Sequence, residues 1–380
     1  MAGKDQEHNT CNCSGELGLM IIGRIQKGIL TPLQPIKGKY LYNKKAFTLI
    51  ELLIAMSMAA LVAMAGFQIF STTNVTFQVQ EAVGEAQQNA RVALDVLARD
   101  IRMAGFGLPD PPFSLTIGSS GALEAPITPS DGGATETDSI TILGIGYEAG
   151  TMLKGTNTDC NGRALSKICL NNVDAFKASD GSFKASRKYI NVNGTRFIEL
   201  SDSQPELSSN KIHIKEPLDK DYDDGTDIFI IQAVQYSIVD DEPSSSPPCT
   251  PSSPCLKSLD YTELRGSDRQ TLAENIEDLQ FAFGVDSNRD RKIDTSVTPP
   301  YNDPANEYGE NDFITAPSDN NSIVAIRATV VAVSRTDDRE GKTFARPDIE
   351  NHSGGSADEL LKRRRRMLTK TIKLRNPSYD

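Results

Sequence analysis

The sequence predicts an α+β protein: one long N-terminal α-helix, membrane-spanning in its first half and amphipathic in its second, packed against an antiparallel β-sheet head. Three observations carry this. An apolar run from Phe47 to Phe70 holds a single ionisable side chain, Glu51. Behind it, apolar residues recur in steps of three and four as far as Ile101. Beyond Pro109 the pattern turns to short β-branched segments with Gly, Asn and Asp between them.

The apolar run comes first. As a helix, residues 47–70 are ~36 Å long at 1.5 Å per residue, enough to cross a hydrocarbon core of roughly 30 Å with some tilt. Lys44 and Lys45 hold the amino side in the cytoplasm, so the chain beyond Phe70 is expected outside it. Glu51 is the odd residue, since a carboxylate at that depth costs on the order of 2.5–3.5 kcal/mol. Such an acid calls for a partner.

The second half of the helix follows Ser71-Thr72-Thr73-Asn74. Val75, Val79, Val83, Ala86, Ala90, Ala93, Leu97 and Ile101 make one apolar stripe, with Gln, Glu and Arg on the other face. Gly105-Phe106-Gly107-Leu108-Pro109 ends it, because Gly suits a C-cap and Pro cannot continue a helix. Strands are then expected at Ser139–Tyr147, Tyr189–Val192, Phe197–Leu200, Lys211–Ile214, Asp227–Val239, Leu279–Val285, Ser322–Ser334 and Met367–Leu374. Residues 240–254, 296–321 and 337–356 read as surface loops.

Bulk numbers exclude several classes. The 380 residues carry a net charge of −11, and residues 1–46 account for +4, which leaves −15 beyond them. So acidic a remainder argues against nucleic acid as a partner. Two close cysteine pairs on the exported side, Cys160 with Cys169 and Cys249 with Cys255, are expected as local disulfides; zinc is the competing reading, and no His sits near either pair. Cys11 and Cys13 fall in the first 46 residues.

Asp286, Asn288, Asp290 and Asp294 set oxygens at positions 1, 3, 5 and 9 of a calcium loop. Arg291 replaces its turn glycine and Val297 its final Glu, so a weak calcium site competes with a plain polar turn. Calcium is the one cofactor the sequence suggests. His213 and His352 have no metal-ligand spacing, and no nucleophile or phosphate-loop motif appears, so no catalytic residue is assigned. The run Arg363–Arg366 reads as a solvated face, a helix end or a dock for an acidic neighbour.

Lys44, Lys45 and Ala46, followed by Phe47-Thr48-Leu49-Ile50-Glu51, resemble the processing signal of the type IV prepilins and pseudopilins, which usually have Gly where this chain has Ala46. The resemblance implies that a prepilin peptidase cuts between Ala46 and Phe47 and that the new amine of Phe47 is N-methylated. It also implies that Glu51 neutralises that amine on a neighbouring subunit and fixes its register. The segments Leu94–Phe106, Leu272–Phe281 and Arg363–Asn376 resemble the PilW-type minor pilins, whereas the loops between Leu108 and Asp227 match nothing.

The organisation implied is a leader over 1–46, a transmembrane half-helix over 47–70, an amphipathic half over 71–105, and an exported head with disulfide loops over 106–380. A leader of 46 residues is long for the family, so translation from Met20 is the alternative start. The function implied is a structural subunit of a type IV pilus, not an enzyme, placed in the inner membrane with its head outside the cytoplasm. Its expected partners are the peptidase, other major and minor pilins and the inner-membrane assembly platform. Rival readings are a minor pseudopilin of a type II secretion system, a tip adhesin, an exported enzyme on an anchor, and a secretory signal cut after Ala63-Met64-Ala65. Glu51 disfavours the last.

Overall fold

Helix α1 runs unbroken from Leu49 to Met103, 55 residues without a proline. In this computed structural model the described residues are 47–133, 136–153, 160–242, 248–263, 269–288, 290, 292–294, 313–338, 341–350, 352 and 360–375. The chain divides into two units, Met1–Met64 and Ala65–Asp380. Ser71-Thr72-Thr73-Asn74 causes no break. Thr72 and Thr76 donate their hydroxyls to the carbonyls of Gln68 and Thr72, both at 3.0 Å, so the polar side chains are satisfied within the helix.

The helix ends as its glycines require. Gly105 and Gly107 stand at φ 80° and 77°, and the Gly105 amide leaves the helix to donate to the Leu143 carbonyl at 2.9 Å. A Cβ on Gly107 would lie 2.5 Å from Ile145, so both conformation and space demand glycine there.

Fourteen strands follow among the described residues. They are β1 (Leu115–Thr116), β2 (Ala122–Leu123), β3 (Ile127–Ser130), β4 (Ser139–Thr151), β5 (Lys167–Cys169), β6 (Tyr189–Val192) and β7 (Arg196–Glu199). Then come β8 (Lys211–His213), β9 (Asp227–Val239), β10 (Cys255–Asp260), β11 (Gln270–Glu274), β12 (Ile276–Val285), β13 (Ile323–Val333) and β14 (Arg365–Lys373). All their pairings are antiparallel.

The expected single sheet is divided. A seven-stranded sheet has the order β11-β10-β9-β4-β3, with the β6–β7 hairpin also on β9. Strand β9 keeps β4 along one edge, while its other edge is shared: Ile228–Ile230 pair with β6, and Val234–Val239 with β10. A three-stranded sheet, β12-β13-β14, stands beside it, and β1–β2 and β5–β8 form two small ribbons. The expected strands are all present, with ends shifted by a few residues. Strands β1, β2, β3, β5, β10 and β11 go beyond that expectation.

The main core lies where α1 meets these sheets. Ala86, Ala90, Ala93, Leu94, Leu97, Ala98 and Ile101 are buried against Ile140 and Ile142 of β4, Phe281 of β12, Val330 of β13 and Ile372 of β14. The alanines let the helix backbone approach closely, and the leucines fill the gaps between strands. Val75, Val79 and Val83 continue the stripe but are only half-buried. Polar ties fix the register. Asn89 donates to the Glu274 carbonyl at 3.0 Å, Lys370 reaches Asp95 at 2.8 Å, and the Tyr236 hydroxyl donates to Asp100. Burial, and then the Asp100 charge, hold the Tyr236 hydroxyl protonated.

Leu97→Ala is expected to lower stability by about 2–5 kcal/mol, since it empties the centre of this core. The urea midpoint of the full chain in detergent measures it. Val92→Ala, at a site 42% exposed, is the control and should move the midpoint by less than about 0.5 kcal/mol equivalent.

Candidate functional site

The amino end of α1 is built by its own sequence. Thr48 Oγ1 accepts from the Glu51 amide at 3.3 Å, and the Thr48 carbonyl accepts from Leu52 at 3.2 Å. Thr48 is therefore the N-cap, and Glu51 sits at the third helical position of a Thr-x-x-Glu capping pattern. There the carboxylate also meets the positive end of the helix dipole. The motif around Glu51 thus starts the helix as well as carrying an acid. That signal was available in the sequence and is separate from the expected pairing with an amine.

Phe47 and Glu51 are exposed, and every large apolar side chain from Phe47 to Phe70 is more than half exposed. By length and composition this helix can cross a membrane, and its most apolar window is 0% buried by the rest of the chain. So much contiguous apolar surface does not persist in water. Lys44, Lys45 and Ala46, the basic and leader-side positions of the expected cleavage site, lie outside the described residues. So do Cys11 and Cys13.

Further along α1, Val75, Val79 and Ala82 line a cavity of about 350 Å³ against Ser334–Asp338 and Arg364. It extends the apolar stripe past the point where the sheets cover it.

The cysteines pair locally. Cys160 is bonded to Cys169 at the end of β5, and Cys249 to Cys255 at the start of β10, each with Cα atoms 5.5 Å apart. The second bridge closes the Ser- and Pro-rich tract after β9, where Glu242 and Cys249 also exchange backbone hydrogen bonds.

At the calcium-like turn, Asp286 Oδ1 and Asn288 Oδ1 both accept from the Asp290 amide, at 3.2 and 2.9 Å. Asp290 accepts from Lys292 at 2.9 Å, and Asp294 from Ser287 at 2.7 Å. These oxygens are turned on the loop's own amides. Among the described residues, no group of three or more His, Cys, Asp or Glu side chains could hold a metal ion.

The basic run is consumed within the chain. Arg363 pairs with Asp337 at 3.5 Å, Arg364 with Asp338, and Arg365 grips Glu277 with two bonds of 2.6 and 2.8 Å, both side chains nearly fully buried. This corrects the sequence reading of a helix end or solvated face: Arg365 and Arg366 open β14, and three of the four arginines bind acids of their own head. His213 is half-buried, with Nε2 3.2 Å from Glu206. His352, expected in a surface loop, is instead 1% exposed and lies between Asp278 and Arg346. Asp138 is buried close by, accepting from Phe281 and Gly132 at 2.8 and 3.0 Å. Burial pushes its carboxyl up from 3.8 to about 6.

Two family comparisons fit this layout. Residues 41–67, across the start of α1, match the prokaryotic N-terminal methylation motif. Residues 235–376 match the family described as Type IV Pilus-assembly protein W, from the second half of β9 through β14. Over these two stretches the chain is PilW-like. The pilin-like protein PilA3 of Thermus thermophilus is 32% identical over 83 residues, which cover 19% of this chain and 36% of PilA3. The chain therefore spans little more than a third of that relative's length. No solved structure matches it.

The matched regions are the membrane-compatible end of α1 and the sheets that receive its other end. The methylation motif implies processing by a prepilin peptidase, and the families are structural. Residues 106–234, with one disulfide, lie outside both matches.

Two measurements test the head. Cys249→Ser with Cys255→Ser is expected to lower stability by roughly 2 kcal/mol for so short a loop, read as a fall in thermal midpoint. Asp138 is raised in the fold, so its contribution is full below about pH 4 and is lost as pH rises through about 6. Asp138→Asn should flatten the pH dependence of the midpoint over that window. A slope that persists in the variant would place its source elsewhere.

Proposed function

We propose that this pilin is a minor subunit that helps to initiate or cap a type IV pilus, and that it does no chemistry on substrates. Residues 1–46 are the cytoplasmic leader, removed by prepilin peptidase between Ala46 and Phe47. The amine of Phe47 is then methylated. Residues 47–70 hold the subunit in the inner membrane, residues 71–105 continue the helix, and the head over 106–380 lies outside the cytoplasm. The assembly platform in that membrane then delivers it to other major and minor pilins.

The observation that carries this reading is the capped Thr48–Glu51 turn at the head of an uncovered apolar helix. Helices gain little hydrophobic drive from meeting in lipid, so packing and polar contacts decide association. Ala55, Ala59, Ala63 and Gly66 present small surfaces for close approach. Cleavage frees an ammonium at Phe47, and Glu51 of a neighbouring subunit is placed to neutralise it. Two charges that would each be costly in lipid become one pair, which sets the axial register. The half-exposed valines at 75 and 79 and the cavity beside them offer a second contact for a neighbouring helix.

Mass spectrometry of the protein recovered from cells should find a chain that begins at methylated Phe47. A retained leader, or a start at Gly66, would remove the assignment. Glu51→Ala should leave membrane insertion intact. Removing one member of a buried pair costs about 3–5 kcal/mol, so incorporation into filaments or their initiating complex should fall more than about tenfold. Normal incorporation of that variant would contradict the register mechanism.

A further inference from the structure

The three-stranded sheet is buried on both sides. Ile326, Ala328 and Val330 of β13 face α1, yet Thr329 and Val331, which alternation turns the other way, are only 2% and 0% exposed. Gly341–Glu350 and His352 supply groups to that outer face. Glu350 grips Arg327 of β13 with two bonds of 2.8 Å. The Phe344 amide donates to Leu361 at 2.7 Å, and its carbonyl accepts from Arg365.

His352 is the third tie, and its protonation state follows from its neighbours. Arg346 Nη2 lies 2.6 Å from His352 Nε2. A guanidinium only donates, so Nε2 must offer its lone pair and the imidazole is neutral, with its proton on Nδ1. Asp278 Oδ1, 3.2 Å from Nδ1, accepts that proton. Gln280 Nε2, 2.8 Å from the same nitrogen, turns its hydrogens to Asp278 Oδ1 at 2.9 Å and to the Glu136 carbonyl at 3.2 Å. His352 and Asp278 are buried to the last per cent, and the Arg346 side chain is 9% exposed.

We propose that Gly341–Glu350 and His352 form an acid-released latch over the outer face of the β12–β13–β14 sheet, closed only while the His352 imidazole is neutral. Protonation would put a hydrogen on Nε2, where Arg346 also presents hydrogens and no lone pair remains. The imidazolium keeps Asp278 and expels Arg346, which frees that part of the segment. The charged groups that reach the ring are Asp278 from β12 and Arg346 from the latch, and Asp138, from the turn before β4, feels the Asp278 charge. Asp138 acts in the opposite sense, since its stabilising contribution grows as pH falls, so an acid-induced opening is not its doing. The latch stands independently of what the chain assembles into.

Hydrogen exchange by mass spectrometry on the full chain in detergent, at about pH 8 and about pH 5, spans the range in which an imidazole changes charge. After correction for the chemical exchange rate, the amides of Phe344 and Ile349 should exchange at least about tenfold faster at the lower pH. In His352→Gln, whose neutral amide can accept from Arg346 and donate to Asp278, that difference should vanish. Equal protection of the unaltered protein at both pH values overturns the proposal, as does an undiminished difference in the variant. Should the variant not fold, ring-nitrogen NMR shifts of the unaltered chain decide instead. A proton on Nδ1 at about pH 8 is required, and a proton on Nε2 overturns the latch.

Discussion

A single carboxylate on an otherwise apolar helix end constrains everything downstream of it. Water rejects the side chains between Phe47 and Phe70, and hydrocarbon rejects Glu51. No arrangement of one chain alone satisfies both. Capping by Thr48 settles the backbone at this end and leaves the charge for a partner. In the proposed assembly, a filament of like helices would answer both demands at once, by hiding the apolar surface and bringing amines beside acids.

The head solves the reverse problem. It is rich in acids, and it places several of its arginines inward. Arg365 with Glu277 and Arg327 with Glu350 are bidentate pairs in nearly dry surroundings. Such pairs add little net stability over well-packed apolar residues, yet losing one member is costly. Their value here is geometric. A planar fork on a carboxylate allows few alternatives, and these forks join β14 to β12 and the segment at 341–350 to β13. What reads as a basic stretch in the sequence is thus internal wiring of a sheet.

The long elements were legible in the sequence because each follows its own periodicity. Helix α1 announces itself by composition, then by its three-and-four spacing, then by Gly105. Strands β9 and β13 are β-branched runs too long to read otherwise. Strands β10 and β11 were not legible, because neighbours make them. In β10, Lys257 is 1% exposed and ion-paired with Glu242, a burial that no local pattern suggests. Strand β3 contains Pro129, which normally argues against a strand and is tolerated at this sheet edge. The burial of His352 was hidden for a related reason: its partners lie 72 and 74 residues away, at Gln280 and Asp278. At the amino end of the helix the motif was readable, while its capping role was hidden behind its more conspicuous acid.

The shared edge of β9 has one more consequence. Side chains between Ala149 and Ile230 build a separate apolar cluster of their own, around Phe176, Ile190 and Ile212. The residues that receive α1 belong to a different cluster. One strand is the hinge-post common to both. The first lobe can therefore change its packing or its loops without loosening the seat of the rod, because the two sets of side chains share a strand and not a core.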